Sequence, residues 1–128
     1  MLCLLQSQGN EPKISQMNDR SLESPLVRTD EDGVAVLRLN RPRQYNALSA
    51  ALLAALHEEL DLLALDESIR VLLITGSGTA FCSGHDLKEM RALGSLAEVQ
   101  ALFTSCSSMM QKLVALPQPV IAVVNGLA

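Results

Sequence analysis

Residues able to do chemistry gather in two short stretches of this chain. The first is Gly76-Ser77-Gly78-Thr79-Ala80-Phe81-Cys82-Ser83-Gly84-His85-Asp86, glycine-rich, free of hydrophobic periodicity, and continued by Leu87 and Lys88. It follows an apolar run and precedes a segment that Asp86 can cap as a helix. A helix N-terminus presents unpaired N–H groups and the positive end of a dipole, which suits an oxyanion or a phosphate. Gly84 lets the backbone approach a ligand because no Cβ intervenes. The bland alternative is a solvent-exposed connection. The second stretch, Arg41-Pro42-Arg43-Gln44-Tyr45-Asn46, is basic, with Arg38 close by in sequence.

Other chemistries fit these residues less well. Gly76-Ser77-Gly78 resembles the opening of a dinucleotide fingerprint, but Phe81 stands where the third glycine belongs. A P-loop needs Gly-Lys-Ser/Thr, which does not follow. Ser83, His85 and Asp86 are the three residue types of a hydrolytic triad, yet such groups converge from separated elements and near neighbours cannot align that way. Cys82 with His85 could form a thiolate pair, against which stands an inert buried thiol. His57, His85 and three scattered cysteines do not reach the ligand count or spacing of a zinc site. His57, among acids, reads as a solvated residue, and Met109-Met110 as core packing.

These stretches must be positioned by regular elements, and the pattern supplies them. Leu26 to Thr29 and Val34 to Leu39 read as a hairpin around Asp30-Glu31-Asp32-Gly33, with Ala35, Leu37 and Leu39 on one face. Asn40-Arg41-Pro42 ends the second strand, since proline cannot donate to the ladder. Ser49 can cap a helix whose Leu52, Leu53, Leu56, Leu60 and Leu63 recur at helical spacing. Val71-Leu72-Leu73-Ile74 predicts a strand covered on both faces. Ser95 and Glu98 form a capping box for a helix with Val99, Phe103, Cys106, Met110 and Leu113 on one stripe. Pro117 and Pro119 stop it, and Val120 to Val124 predicts a second buried strand. Strand, helix and parallel strand in this order give an α/β class with a crossover.

Composition sets the outer limits. The chain has 128 residues and is 48% hydrophobic, but holds no Trp, one Tyr and two Phe, so its core must be aliphatic. A net charge of −4 argues against non-specific nucleic-acid binding, which needs a basic surface to displace counterions. Lys88 with Arg91, and the arginines near residue 41, still allow an anionic small ligand. Three cysteines without metal spacing point to a reducing compartment. The cytoplasm is expected, with the mitochondrial matrix as the alternative, although residues 1–25 hold one Lys, one Arg and three acids, a poor transit peptide. No run approaches the roughly 18 apolar residues that span a bilayer. Residues 1–24 are expected to be disordered or a spurious extension, with Met17 an alternative start, and 25–128 to be the ordered domain. The chain stops at Asn125-Gly126-Leu127-Ala128 just as a turn begins, so a fragment is expected.

Three segments together resemble the crotonase, or enoyl-CoA hydratase/isomerase, superfamily. They are Asn40-Arg41-Pro42-Arg43-Gln44-Tyr45-Asn46-Ala47-Leu48-Ser49, then Phe81-Cys82-Ser83-Gly84-His85-Asp86-Leu87-Lys88-Glu89-Met90, then Pro119 to Gly126. The second is similar to the family's Phe-x-x-Gly-x-Asp-Leu-Lys signature. The match in order covers about Leu26 to Ala128.

The resemblance implies the N-terminal part of a ββα spiral, truncated, from a fold usually assembled as homotrimers or hexamers. It implies an acyl-CoA or enoyl-CoA thioester ligand in fatty-acid metabolism, with no separate cofactor because coenzyme A is part of the substrate. A backbone oxyanion hole is the shared device, and its first donor carries over to the main-chain N–H of His85. Ser83, Gly84, Asp86, Leu87 and Lys88 continue the substrate-binding stretch, with Arg43 and Tyr45 near the CoA nucleotide. The second donor and the family's acid/base glutamates belong to later segments, so this chain is expected to be inactive by itself. A non-catalytic acyl-CoA-binding or assembly protein is the alternative on the same fold. The fold-related serine proteases would need a separated Ser and His, which the sequence does not display.

Overall fold

The computed structural model describes residues 23–128. The expectation for residues 1–24 therefore falls, up to residue 22, outside the described residues. Ser24 and Pro25 are already tied in: the Asn40 N–H donates to the Pro25 carbonyl at 2.7 Å, and the Asn40 side chain to that of Ser24 at 3.0 Å.

Strands β1 (Leu26–Glu31) and β2 (Val34–Leu39) form the expected hairpin, with the turn reduced to Asp32-Gly33. Both turn residues have positive φ, +49° and +81°, the geometry of a two-residue hairpin loop that Asp-Gly favours. Helix α1 (Ala50–Leu65) then crosses over to β3 (Val71–Gly76), which runs parallel to β2 with Leu37 opposite Ile74. A short helix α2 (Leu87–Ala92) and a long helix α3 (Leu96–Ala115) lead to β4 (Val120–Ala122), parallel to β3. The four strands lie in chain order, β1-β2-β3-β4, in one mixed sheet.

The leucine pattern of α1 does what its spacing dictates. Leu52, Leu53, Leu56, Leu60 and Leu63 are all buried against Ala35, Leu37, Leu39 and Leu72 of the sheet. Ser49 caps the helix by accepting from the Leu52 N–H at 3.1 Å. Arg28 of β1 binds Glu59 and Asp66 at 3.2 and 3.1 Å, besides Asp30, and so ties the hairpin to the second half of α1.

Four expectations need correcting. The buried face of α3 keeps Cys106 and Leu113 of the expected Val99, Phe103, Cys106, Met110 and Leu113 stripe but completes it with Leu102 and Met109, and with Leu116 just past the helix; Phe103 and Met110 are exposed. A helix with apolar residues on more than one face leaves its rotation to its neighbours. Helices cover one face of β3 only, so Leu72 is sealed while Val71 and Leu73 stay half-buried. The run from Val120 to Val124 is a three-residue strand at the sheet edge, exposed throughout among the described residues. His57 is also not a free surface group: its Nε2 lies 2.9 Å from the Ser105 carbonyl, linking α1 to α3.

Leu52→Ala should lower unfolding free energy by about 2–5 kcal/mol, because the side chain is sealed and leaves a cavity. Leu62→Ala, on the exposed face of the same helix, should stay within about 0.5 kcal/mol. Urea titrations of the two variants check this, and equal losses would mean the α1 face is misassigned.

Candidate functional site

The loop after β3 is held by two side-chain amides, one buried and one exposed. Asn46 is fully buried; its Oδ1 accepts from the Arg41 N–H at 2.8 Å, and its Nδ2 donates to the Ser77 and Ala80 carbonyls at 2.9 Å each. Asn125 approaches from the far side, donating to the Gly78 and Ala80 carbonyls and accepting from the Gly76 N–H. Gly76 is required by space: a Cβ there would lie 2.5 Å from the carbonyl oxygens of Ala80 and Phe81 and 2.7 Å from Asn46 Nδ2. The fingerprint-like Gly76-Ser77-Gly78 thus folds the loop on itself.

Farther along, the loop pairs with residue 48. The Leu48 N–H donates to the Gly84 carbonyl at 2.8 Å, and the Asp86 N–H to the Leu48 carbonyl at 3.1 Å, making a parallel bridge between Leu48 and His85. In such a bridge the flanking groups point at the partner and the central residue's own N–H points away. No acceptor for the His85 N–H is found among the described residues. Gly84 has φ +95°, which favours glycine, and a Cβ there would meet nothing within 4 Å.

Asp86 is the hinge of the local electrostatics. Its Oδ1 accepts from the Lys88 and Glu89 N–H groups and so caps α2, while its Oδ2 takes the Arg41 guanidinium at 2.9 Å. The Arg41 hydrogen bond, then the Glu89 N–H, hold this carboxyl below the usual carboxylate range. Glu89 accepts from the Ala50 N–H at 2.8 Å.

An open hollow of about 640 Å3 collects Ser83, His85, Asp86, Leu87 and Lys88 with Arg41 and Gln44. Arg43 lines an adjoining hollow of about 720 Å3, with Arg41, Gln44 and Glu89 common to both. Tyr45 lines neither; its carbonyl accepts from the Ser83 N–H, and its ring is exposed. Sequence reasoning missed the Arg41–Asp86 pair and Asn46, whose partners lie 31 to 45 residues away. The available signal was the place of Asn46 inside the Asn40–Ser49 stretch.

The competing chemistries find no geometry here. His85 Nδ1 is buried without a partner, so neither Cys82 nor Asp86 forms a relay with it. Burial, with Cys82 nearby, pushes the Cys106 thiol up and away from thiolate chemistry. A separated Ser–His pair does exist, contrary to expectation: Ser105 Oγ lies 3.3 Å from His57 Nε2. That nitrogen also faces the Ser105 carbonyl at 2.9 Å, an acceptor that demands a proton on it, so it cannot serve as a base. Among the described residues, no group of three or more His, Cys, Asp or Glu could hold a metal ion, and no helix is long and apolar enough to cross a membrane.

A mixed sheet backed by helices, with a glycine loop returning to pair with the chain before the first helix, is part of the crotonase fold. The profile of the enoyl-CoA hydratase/isomerase family matches residues 29–128, and the chain belongs to that family. It is 40% identical over 106 residues to the mitochondrial enoyl-CoA hydratase domain-containing protein 3 of Xenopus laevis, covering 82% of this chain and 36% of that protein. The wording Ser83 to Glu89, with Cys106, Met109 and Met110 downstream, also resembles that branch. An enoyl-CoA hydratase structure from Mycobacterium smegmatis is similar with TM-score 0.77 and 51% identity, over 80% of this chain and 40% of that one. One from Bacillus anthracis gives TM-score 0.78 and 39% identity, over 81% and 41%. The chain spans about two-fifths of the length of such relatives.

The Asp86 ion pair has a pH signature. Its carboxyl titrates lower in the folded chain than the unfolded value of about 3.9, so the stabilisation is complete above that pH and is lost as pH falls through the folded value. Asp86→Asn, which can still cap α2, should flatten the acid limb of stability against pH. Urea midpoints between pH 7 and pH 3 measure this, and an unchanged acid limb would show that the pair contributes nothing.

Proposed function

We propose that this chain supplies an oxyanion donor and part of the ligand hollow of an acyl-CoA site, the His85 main-chain N–H binding the thioester oxygen. The observation that carries this reading is an amide turned away from Leu48 by two hydrogen bonds, without an acceptor among the described residues, on a residue that lines an open hollow. Family membership supports the choice of a thioester, whose oxygen gains negative charge when an enolate forms. A donor fixed in advance needs no reorganisation at that moment, and losing one is worth on the order of 3 kcal/mol.

In this reading coenzyme A arrives as part of the substrate, so no separate cofactor takes part. Ser83, Gly84, Leu87 and Lys88 line the thioester's path. Arg43 is free of ion pairs among the described residues and stands ready for a CoA phosphate, with Tyr45 beside it in sequence. Asp86 serves the site indirectly, by fixing the start of α2. Assembly as a homotrimer or hexamer and a place in fatty-acid metabolism accompany the proposal. The mitochondrial name of the Xenopus laevis relative supports the mitochondrial alternative for location over the cytoplasm.

A second reading, binding without catalysis, is favoured by the carboxylates of the hollow. Asp86 is committed to Arg41 and the α2 cap, and Glu89 to the Ala50 N–H, so neither offers itself as general acid or base. The 128-residue chain should therefore hydrate crotonyl-CoA at no more than the background rate.

His85 variants test the donor. His85→Ala keeps the amide and should change crotonyl-CoA affinity less than about threefold, whereas His85→Pro should weaken an enolate-like thioester by about 100-fold, with free CoA little affected. Gly84→Val should resemble His85→Pro, because it combines added bulk with a strained positive φ. Calorimetry against thioester and free CoA, with circular dichroism as the folding check, reads all three. A collapse in His85→Ala with folding intact would transfer the role to the imidazole and overturn the donor assignment.

A further inference from the structure

The loop from Phe81 to His85 borders two spaces, and the reading above uses one of them. Ser83 and His85 line the polar hollow together with Arg41 and Lys88. Phe81 and Cys82 line a separate cavity of about 280 Å3, bounded by the sheet and by Met109 and Met110 of α3. No side chain in its wall carries an oxygen, a nitrogen or a charge. Leu48 serves both spaces: it lines the cavity, and its main chain holds Gly84 and Asp86 on either side of the His85 donor. A second connection runs along α3. Phe103, 45% exposed, meets the His85 ring with centroids 4.9 Å apart, and Met110, 48% exposed, follows two turns later on the same face. An exposed apolar stripe of α3 therefore leads from the donor to the cavity. A ligand with a charged head, a central oxyanion and a hydrocarbon tail finds matching surroundings in that order.

We propose that this cavity receives the acyl tail of the thioester and selects aliphatic acyl groups of medium length, up to about ten carbons. The size follows from volume: an apolar cavity of about 150 Å3 takes one benzene, so about 280 Å3 takes roughly ten carbons. The lining sets the chemistry. Hydrocarbon gains by leaving water for such a wall, whereas a tail ending in a carboxylate loses its hydration and finds no partner. Met109 and Met110 are flexible thioethers that can follow a chain in several shapes. Met110, Val120 and Ala122 are exposed, so the cavity opens to solvent and a longer tail emerges without a clash. The inference rests on the thioester reading and adds to it the class of acyl group.

The test titrates the full chain calorimetrically with acetyl-, butyryl-, hexanoyl-, octanoyl-, decanoyl- and dodecanoyl-CoA. Affinity should rise about two- to threefold per added methylene, then level off near ten carbons. Glutaryl-CoA, which ends in a carboxylate, should bind about tenfold more weakly than valeryl-CoA. Ala122→Met should fill part of the cavity and bring the levelling point down by about two carbons. Met110→Lys, at an exposed position, should weaken octanoyl-CoA about tenfold relative to acetyl-CoA. Octanoyl-CoA, but not acetyl-CoA, should slow alkylation of Cys82 by N-ethylmaleimide about tenfold, read on the Cys82 peptide by mass spectrometry. Circular dichroism checks the fold of each variant. Affinity that ignores acyl length, a profile unmoved by both variants, or unshielded Cys82 each overturns the tail assignment. If His85→Pro still loses acetoacetyl-CoA, an enolate-forming probe, the donor reading survives that failure. A His85→Pro variant that binds acetoacetyl-CoA as the parent does would instead overturn the thioester reading on which the inference rests.

Discussion

Two hydrogen bonds to one residue, Leu48, set the direction of everything this site can do. Leu48 lies just before the Ser49 cap, so its own position is fixed by a helix whose leucines are sealed into the core. By donating to Gly84 and accepting from Asp86, it makes the loop run parallel to the chain before α1 for one residue pair. The His85 N–H then has to point outward. Core packing is converted into an outward-facing donor through these two bonds, with no side-chain chemistry required.

The loop can take that path only because it is short of bulk and rich in internal acceptors. Gly76 has no room for a Cβ, and Gly84 adopts a backbone angle that side chains rarely tolerate. Between them the Ala80 carbonyl receives both the Asn46 and the Asn125 side chains. A buried amide such as Asn46 costs stability if any of its bonds is lost, which makes the arrangement specific rather than merely permitted. Arg41 joins the same network through Asp86, so the basic stretch and the glycine stretch form one electrostatic unit. The outward side of that unit is left to Arg43, Lys88 and the His85 amide.

Periodicity and local caps made most of the fold legible. The hairpin, the α1 leucine face, the Ser49, Asp86 and Ser95 caps and the parallel crossover all depend on groups within a few residues of one another, and each was readable from spacing. The rotation of α3 was legible only in part: Cys106 and Leu113 stood on the expected stripe, but apolar residues occupy more than one face and only packing into the core selects Met109 over Met110. The exposure of β4 was unreadable for a related reason: an apolar run looks the same whether or not another element lies against it. His57 looked like a solvated residue for lack of any signal that α3 would bring the Ser105 carbonyl to it.

For the site, the sequence by itself determined the local features: a glycine-rich loop and the Asp86 cap that starts the next helix. It did so because helix starts, glycine backbone freedom and signature order are all local properties of the chain. Tertiary structure alone decided that Asp86 belongs to Arg41, that Asn46 holds the loop, that Phe103 meets His85 outside the core, and that the His85 amide has no acceptor among the described residues. Each of those facts depends on partners brought together from distant parts of the chain, and hydrogen-bond direction and ring contact exist only once the sheet and helices have brought them within a few ångströms.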